Sequence, residues 1–200
     1  MKRLGSVLGG LVPGVLLAVS FFWITSQLTT AQGGRLQASP AAQRREIGAA
    51  INGTIITGPI EFDTTWTIGG SPYVIVGDDW GRLIVDAGAT LTVEPGVIVK
   101  VSAGGTMYVH GQLEARGTIT EPIFFTSLQD DSVGGDTNGD GDATTPAPGD
   151  WYYVVAVGSG QAWVEQAEVR YAGQRDPYGQ GYGALFANSA DCSLLVTSTV

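Results

Sequence analysis

The chain has one cysteine, Cys192, one histidine, His110, and two lysines in 200 residues. One thiol excludes a disulfide framework, and one thiol with one imidazole excludes a zinc site of the Cys/His type. Charged residues make up only 14% of the chain, and ten Lys and Arg face nineteen Asp and Glu for a net charge of −9. A nucleic-acid binder needs basic patches, so that class is set aside. No phosphate-cradling loop, nucleophile elbow or zinc motif occurs. What the chain has in quantity is glycine, 30 residues without a three-residue period, and 44% hydrophobic residues. The first excludes collagen and the second excludes wholesale disorder.

The N-terminus reads as an export signal. Lys2 and Arg3 precede an uncharged stretch from Leu4 to Gly34 whose densest part is Val12–Ile24. That core has the length of a signal-peptide h-region, and Thr29-Thr30-Ala31 offers small residues for cleavage after Ala31. The alternative is an uncleaved anchor over Leu4–Ile24, long enough to span a bilayer but weakened by Gly5, Gly9, Gly10, Pro13 and Gly14. Either way the expected destination of the rest is outside the cell or on its surface. Residues 1–31 are thus the signal or anchor, and 32–52 a polar linker in which Ser39-Pro40 could open a short helix. Asn52-Gly53-Thr54 matches a glycosylation sequon and equally a turn before a strand.

From Ile55 onward apolar residues alternate with period two. The pairs are Ile60/Phe62, Val74/Val76, Leu83/Val85, Leu91/Val93, Val97/Val99, Met107/Val109, Leu113/Ala115 and Ile123/Phe125, with Gly, Pro or Asp between most of them. Each pair puts two side chains on one face of a strand, and the class is all-β. Leu91, Val97, Met107, Leu113 and Ile123 follow at steps of 6, 10, 6 and 10 residues. That spacing predicts stacked coils of 16 residues, with Leu91, Met107 and Ile123 forming one inward ladder and Val97 lying over Leu113. A second self-match aligns Ala162–Val169 with Ser193–Val200 at an offset of 31. Glu94-Pro95-Gly96 joins two strands as a corner, not as the two-residue turn of a hairpin sandwich.

Several of these runs are familiar together: Trp66–Val76, Ala87–Val97, Gly117-Thr118, Glu121–Ser127, and later Val169–Gly173 with Gly183-Ala184-Leu185. They resemble the opening coils of secreted bacterial right-handed parallel β-helix repeat proteins, over about residues 53–200. The resemblance implies a right-handed solenoid. It leaves function open, because that group includes surface structural proteins, adhesins and carbohydrate-active enzymes. Trp151-Tyr152-Tyr153 departs from the Trp-Gly-Gly that such proteins often carry. Val200 completes the second self-match without a polar cap, so further coils are expected beyond it.

The strongest chemical signal is acidic. Between Arg116 and Arg170 there is no Lys or Arg, and six Asp fall within 130–150. The run Asp136-Thr137-Asn138-Gly139-Asp140-Gly141-Asp142 matches the first half of an EF-hand calcium loop. Asp136, Asn138 and Asp140 would supply side-chain oxygens, Gly141 the sharp turn, and Asp142 a carbonyl. Position 12 is Ala147, not the bidentate Glu, so the run is similar to dockerin and thrombospondin type 3 loops more than to a full EF-hand. The missing ligand would come from Asp130, Asp131 or Asp150, with affinity of ~10⁻⁴–10⁻³ M or somewhat tighter. The plain alternative is a solvated acidic loop. Residues 128–150 are expected to leave the coil as an insertion, being too long for a corner.

Tyr171, Tyr178 and Tyr182, with Trp151, Tyr152, Tyr153 and Trp163, offer either an aromatic face for sugars or ordinary packing. Glu165 and Glu168, read on one strand, point to opposite faces, which disfavours a glycosidase pair. Lys100, Arg116, Arg170 and Arg175 lie far in sequence from the acidic run, which disfavours a calcium-dependent lyase centre. His110 falls out of phase with Met107 and Val109 and should face solvent. The expected function is an exported non-catalytic scaffold, adhesive or carbohydrate-binding, with calcium in the loop and polysaccharide or cell-surface components as partners. The alternative is the N-terminal part of a carbohydrate-active enzyme whose active site lies in further coils.

Overall fold

The structure is a computed structural model and describes residues 51–173 and 183–197. The signal or anchor, most of the linker, Tyr178, Tyr182 and Val200 lie outside those residues. Every strand is short, three to five residues, and every pairing is parallel.

Three sheets result. The first holds β1 (Thr54–Ile56), β3 (Tyr73–Ile75), β6 (Ile98–Val101), β9 (Ile123–Ser127) and β12 (Ala167–Val169). The second holds β4 (Arg82–Val85), β7 (Thr106–Val109), β10 (Val154–Ala156) and β13 (Leu185–Ala187). The third holds β2 (Thr64–Trp66), β5 (Thr90–Val93), β8 (Gln112–Arg116), β11 (Gln161–Glu165) and β14 (Ser193–Thr197). From β3 onward the chain visits first, second and third sheet in rotation, so a strand pairs with the strand three places later in sequence. The fold is all-β with parallel sheets and is compatible with a solenoid.

The circuit is longer than 16 residues. Leu83 pairs with Met107, Leu91 with Leu113, and Tyr73 with Val99, steps of 24, 22 and 26 residues. Leu91 and Met107 therefore sit on different sheets, and Val97 lies at the corner that leads into β6 of the first. The expected ladder is corrected: Met107 stacks on Leu83 and Val154, Leu91 on Leu113, and Val97 adjoins Ile123 where Phe124 donates to its carbonyl. The alternating steps of 6 and 10 count corners, and three corners make one circuit. The second self-match is corrected by one residue, since Ala162 pairs with Leu194 and not with Ser193. A slip of one would turn every side chain of the strand to the other face.

Inward residues of all three sheets share one core. Leu83, Val85, Leu91, Val99, Val109, Leu113, Ile123, Phe125 and Trp151 are fully buried in it. Trp66 and Tyr73 stack at 4.8 Å near its N-terminal end, and the Tyr73 hydroxyl accepts from the Thr67 N–H at 3.0 Å. At the corners the backbones approach closely enough to need glycine: a Cβ on Gly160 would collide with the Val109 carbonyl of the preceding circuit. Two of the pairs do not follow the alternation. Phe62 is 77% exposed beside a buried Ile60. Val74 and Val76 are buried outside the main core, in a small cluster with Leu128 on the outer side of the first sheet. That cluster exists because something covers the sheet there.

Candidate metal centre

The covering is the acidic segment. β9 ends at Ser127 and β10 begins at Val154, and the intervening chain folds back over the outer face of the first sheet. That face carries the in-register row Val74, Lys100 and Thr126. Leu128 packs on Val74 and Val76, and the Thr137 carbonyl accepts from the Asn52 N–H at 2.9 Å. Gly134, at φ +72°, lies so close that a Cβ would stand 2.9 Å from Pro72 Cγ and 3.4 Å from Lys100 Cε.

Asp130 and Asp150 anchor the two ends of the segment. Asp130 is buried and accepts from Thr126 Oγ1 at 2.6 Å and from the Ser132 hydroxyl at 2.5 Å. Burial pushes its carboxyl up, but the Ser132 and Thr126 bonds and Arg170 outweigh this and hold it below its ordinary range. Asp150 accepts from Ser127 Oγ at 2.7 Å and from the Ala147 N–H at 3.0 Å. Both carboxylates are thus committed to structural bonds.

The middle of the segment is different. Asp131, Asp136 and Asp140 converge, each offering a carboxylate oxygen within 4.8 Å of the others. Asp136 accepts the Asp140 N–H at 3.1 Å and the Gly141 N–H at 2.9 Å, which curls the loop around it. Gly139 and Gly141, at φ +69° and +63°, make that curl possible. Asp140 uses Oδ2 for Asn138 Nδ2 at 2.8 Å and for Thr144 Oγ1 at 2.5 Å. Oδ1 of Asp140 and Oδ1 of Asp131 are buried with no hydrogen-bond partner. Burial, then the charges of Asp136, Asp140 and Asp142, push the Asp131 carboxyl up, against the pull of Lys100. Three converging carboxylates with two orphaned oxygens fit a hard cation, since a desolvated anion without a partner is costly.

Of the residues marked by the calcium-loop spacing, Asp136 and Asp140 are brought together. Asn138 lies beside Asp140 and is engaged within the loop, and Asp142 is exposed. Of the three residues named for the missing ligand, Asp131 joins the cluster and Asp130 and Asp150 do not.

Neither family models, curated proteins nor solved structures give a match to this chain.

Two expectations about charge are corrected. Lys100 and Arg170 are remote from the acidic run in sequence but adjacent in space. Lys100 Nζ donates to the Gly135 carbonyl at 2.7 Å, and Arg170 pairs with Glu168, lies 3.8 Å from Asp130 and reaches Ser132 Oγ at 3.3 Å. The folding of the segment onto the first sheet makes these contacts, and linear spacing carries no trace of them. Glu165 and Glu168 are not on one strand: Glu165 ends β11, Glu168 lies in β12, and the corner between them turns at Gln166 with φ +44°. Of the aromatic residues, Trp151 is buried in the core with Nε1 donating to the Arg170 carbonyl at 2.8 Å. Tyr153 packs edge-on to Tyr108 and Phe186 on the outer side of the second sheet, and Arg116 lies over the Trp163 ring. His110 is exposed and lines a shallow hollow with Thr90, Gln112, Ser159 and Gln161.

Proposed function

We propose that the chain is an exported, non-catalytic right-handed parallel β-helix scaffold whose acidic insertion binds Ca²⁺. The convergence of Asp131, Asp136 and Asp140 with two buried, unpartnered oxygens carries the metal reading. The rotation of the chain through three parallel sheets supports the scaffold reading. The sequence resemblance supplies its handedness, and the N-terminal signal its export. Carboxylate and carbonyl oxygens suit a hard ion, and the irregular oxygen set of such a loop suits the larger Ca²⁺ better than the strict octahedron of Mg²⁺. The proposed ligands are the carboxylates of Asp131, Asp136 and Asp140, with Asn138 and the Asp142 carbonyl as the further oxygens of the loop. Bound there, the ion neutralises the cluster and fixes the insertion against the first sheet. The partners of such a scaffold are proposed to be polysaccharide or cell-surface components, and the ring group Tyr108, Tyr153 and Phe186 supports that chemistry. Calorimetric titration with Ca²⁺ tests the metal reading: the wild type binds at up to millimolar calcium, and Asp131→Asn/Asp140→Asn does not. Equal binding by the two proteins, or none by either, refutes it.

A further inference from the structure

Among the described residues, Lys100 is a charged side chain with no solvent exposure at all. It stands mid-strand in β6, on the outer face of the first sheet, between Val74 and Thr126 in register. An ammonium at such a place is expected to be paired or lost, because burying an isolated charge is costly. Here the stem runs under Gly134 and the ammonium donates to the Gly135 carbonyl, one residue before Asp136. Burial pushes the pKa of the ammonium down, against the fields of Asp131, Asp130 and Asp136. The insertion thus meets a positive charge rising from the sheet beneath, on the side of the loop backbone that faces the core.

We propose that Lys100 is the built-in counter-cation of the insertion, pinning Gly134–Asp136 to the first sheet without metal. Its role as a pin stands on its own contacts. Its role in pre-shaping the Asp131, Asp136 and Asp140 cluster for an ion rests on the calcium reading above. The arrangement divides labour between two cations. The protein's own ammonium compensates the loop from beneath, where no ion can enter, and the proposed Ca²⁺ takes the oxygens that Lys100 leaves unpartnered, Oδ1 of Asp131 and Asp140. An insertion so held keeps its carboxylates close together before the ion arrives, and binding then costs less ordering.

Two measurements test this. In chelator, hydrogen exchange of the amides of residues 130–140 is compared between wild type and Lys100→Met, which keeps the stem and removes the charge. The variant is expected to exchange these amides about tenfold or more faster, as for loss of a hydrogen bond to a charged group, with β5 and β8 unchanged. Equal protection overturns the proposal and leaves the calcium reading standing. Loss of protection in a protein whose wild type ignores calcium leaves the pin standing and removes the calcium reading. Should Lys100→Met fail to fold, the wild type still answers. The chain has only two lysines, so ¹⁵N-lysine labelling gives an unambiguous spectrum. The Lys100 ammonium is expected to exchange its protons with water far more slowly than a free lysine, and exchange at the free rate overturns the pin.

Discussion

Leu113→Ala probes the shared core at its most demanding point. Leu113 is fully buried in β8, stacked between Leu91 of the preceding circuit and Ala162 of the next. Truncation removes the transfer free energy of the lost carbons and leaves a cavity. Measured Leu→Ala costs run from about 2.7 to 5.0 kcal/mol according to how far neighbours collapse. Here they cannot move far. Ala162 above and Ala115 two residues along the strand are already minimal, and the pairing on both sides fixes the backbone. The cost therefore falls in the upper half of the range, about 4 kcal/mol. Urea denaturation followed by tryptophan fluorescence measures it, with an unchanged slope expected and a lowered midpoint. Leu195→Ala is the control. It lies in β14 of the same sheet, two circuits further on, 45% exposed, and should cost no more than about 0.5 kcal/mol. A cost for Leu113→Ala below about 1 kcal/mol, or equal to that of Leu195→Ala, would refute the shared inward ladder.

Three further outcomes are expected. Gly134→Ala adds a Cβ at φ +72° and 2.9 Å from Pro72 Cγ, so it should loosen the insertion by about 1–2 kcal/mol, seen as faster proteolytic cutting within 128–150 and an unchanged far-ultraviolet dichroism. Burial pushes the Asp78 carboxyl up, but Arg82 and two backbone N–H bonds outweigh it and leave it below its ordinary value. The pair therefore stabilises the fold at neutral pH, and the contribution is lost as pH falls through the lowered value. Both side chains are partly exposed, so Arg82→Met should cost no more than about 1 kcal/mol at pH 7, with the difference from wild type shrinking in acid melts. The Asp131 carboxyl is pushed up by burial and by Asp136, so protons should compete with calcium from a higher pH than at an ordinary carboxylate; a titration series that stays flat down to the usual carboxylate range would contradict this.

The alternation that placed Leu83, Leu91, Met107 and Leu113 inside was legible because each strand has one face on the core and one away from it. The length of the circuit was not. Strands of all three sheets carry the same apolar pair and end at similar Gly or Pro corners, so nothing local says whether two or three of them close a turn, and a 6/10 rhythm imitates a repeat of 16. Only the register pairs, such as Leu83 with Met107, separate the cases. At the candidate site the loop spacing marked Asp136 and Asp140, because ligands contributed by one tight turn leave a linear pattern. Asp131 and Lys100 reach the same place through the folding of the insertion onto the first sheet, which leaves none. The visible trace of Lys100 was a lysine in mid-strand between Val99 and Val101, in a chain almost without lysine. Val74 and Val76 hinted at the covered face, but an outward apolar pair reads like an inward one until the neighbouring strands are placed.

The most direct test of the account is a calcium titration read at single residues. In ¹H–¹⁵N spectra of the wild type, added Ca²⁺ should shift the amides of residues 131–142 and leave those of β5 and β8 in place, with Asp131→Asn/Asp140→Asn abolishing the response. Shifts spread evenly over exposed acidic residues such as Glu61, Asp79 and Asp191, or an equal response in the variant, would contradict a metal centre built from Asp131, Asp136 and Asp140.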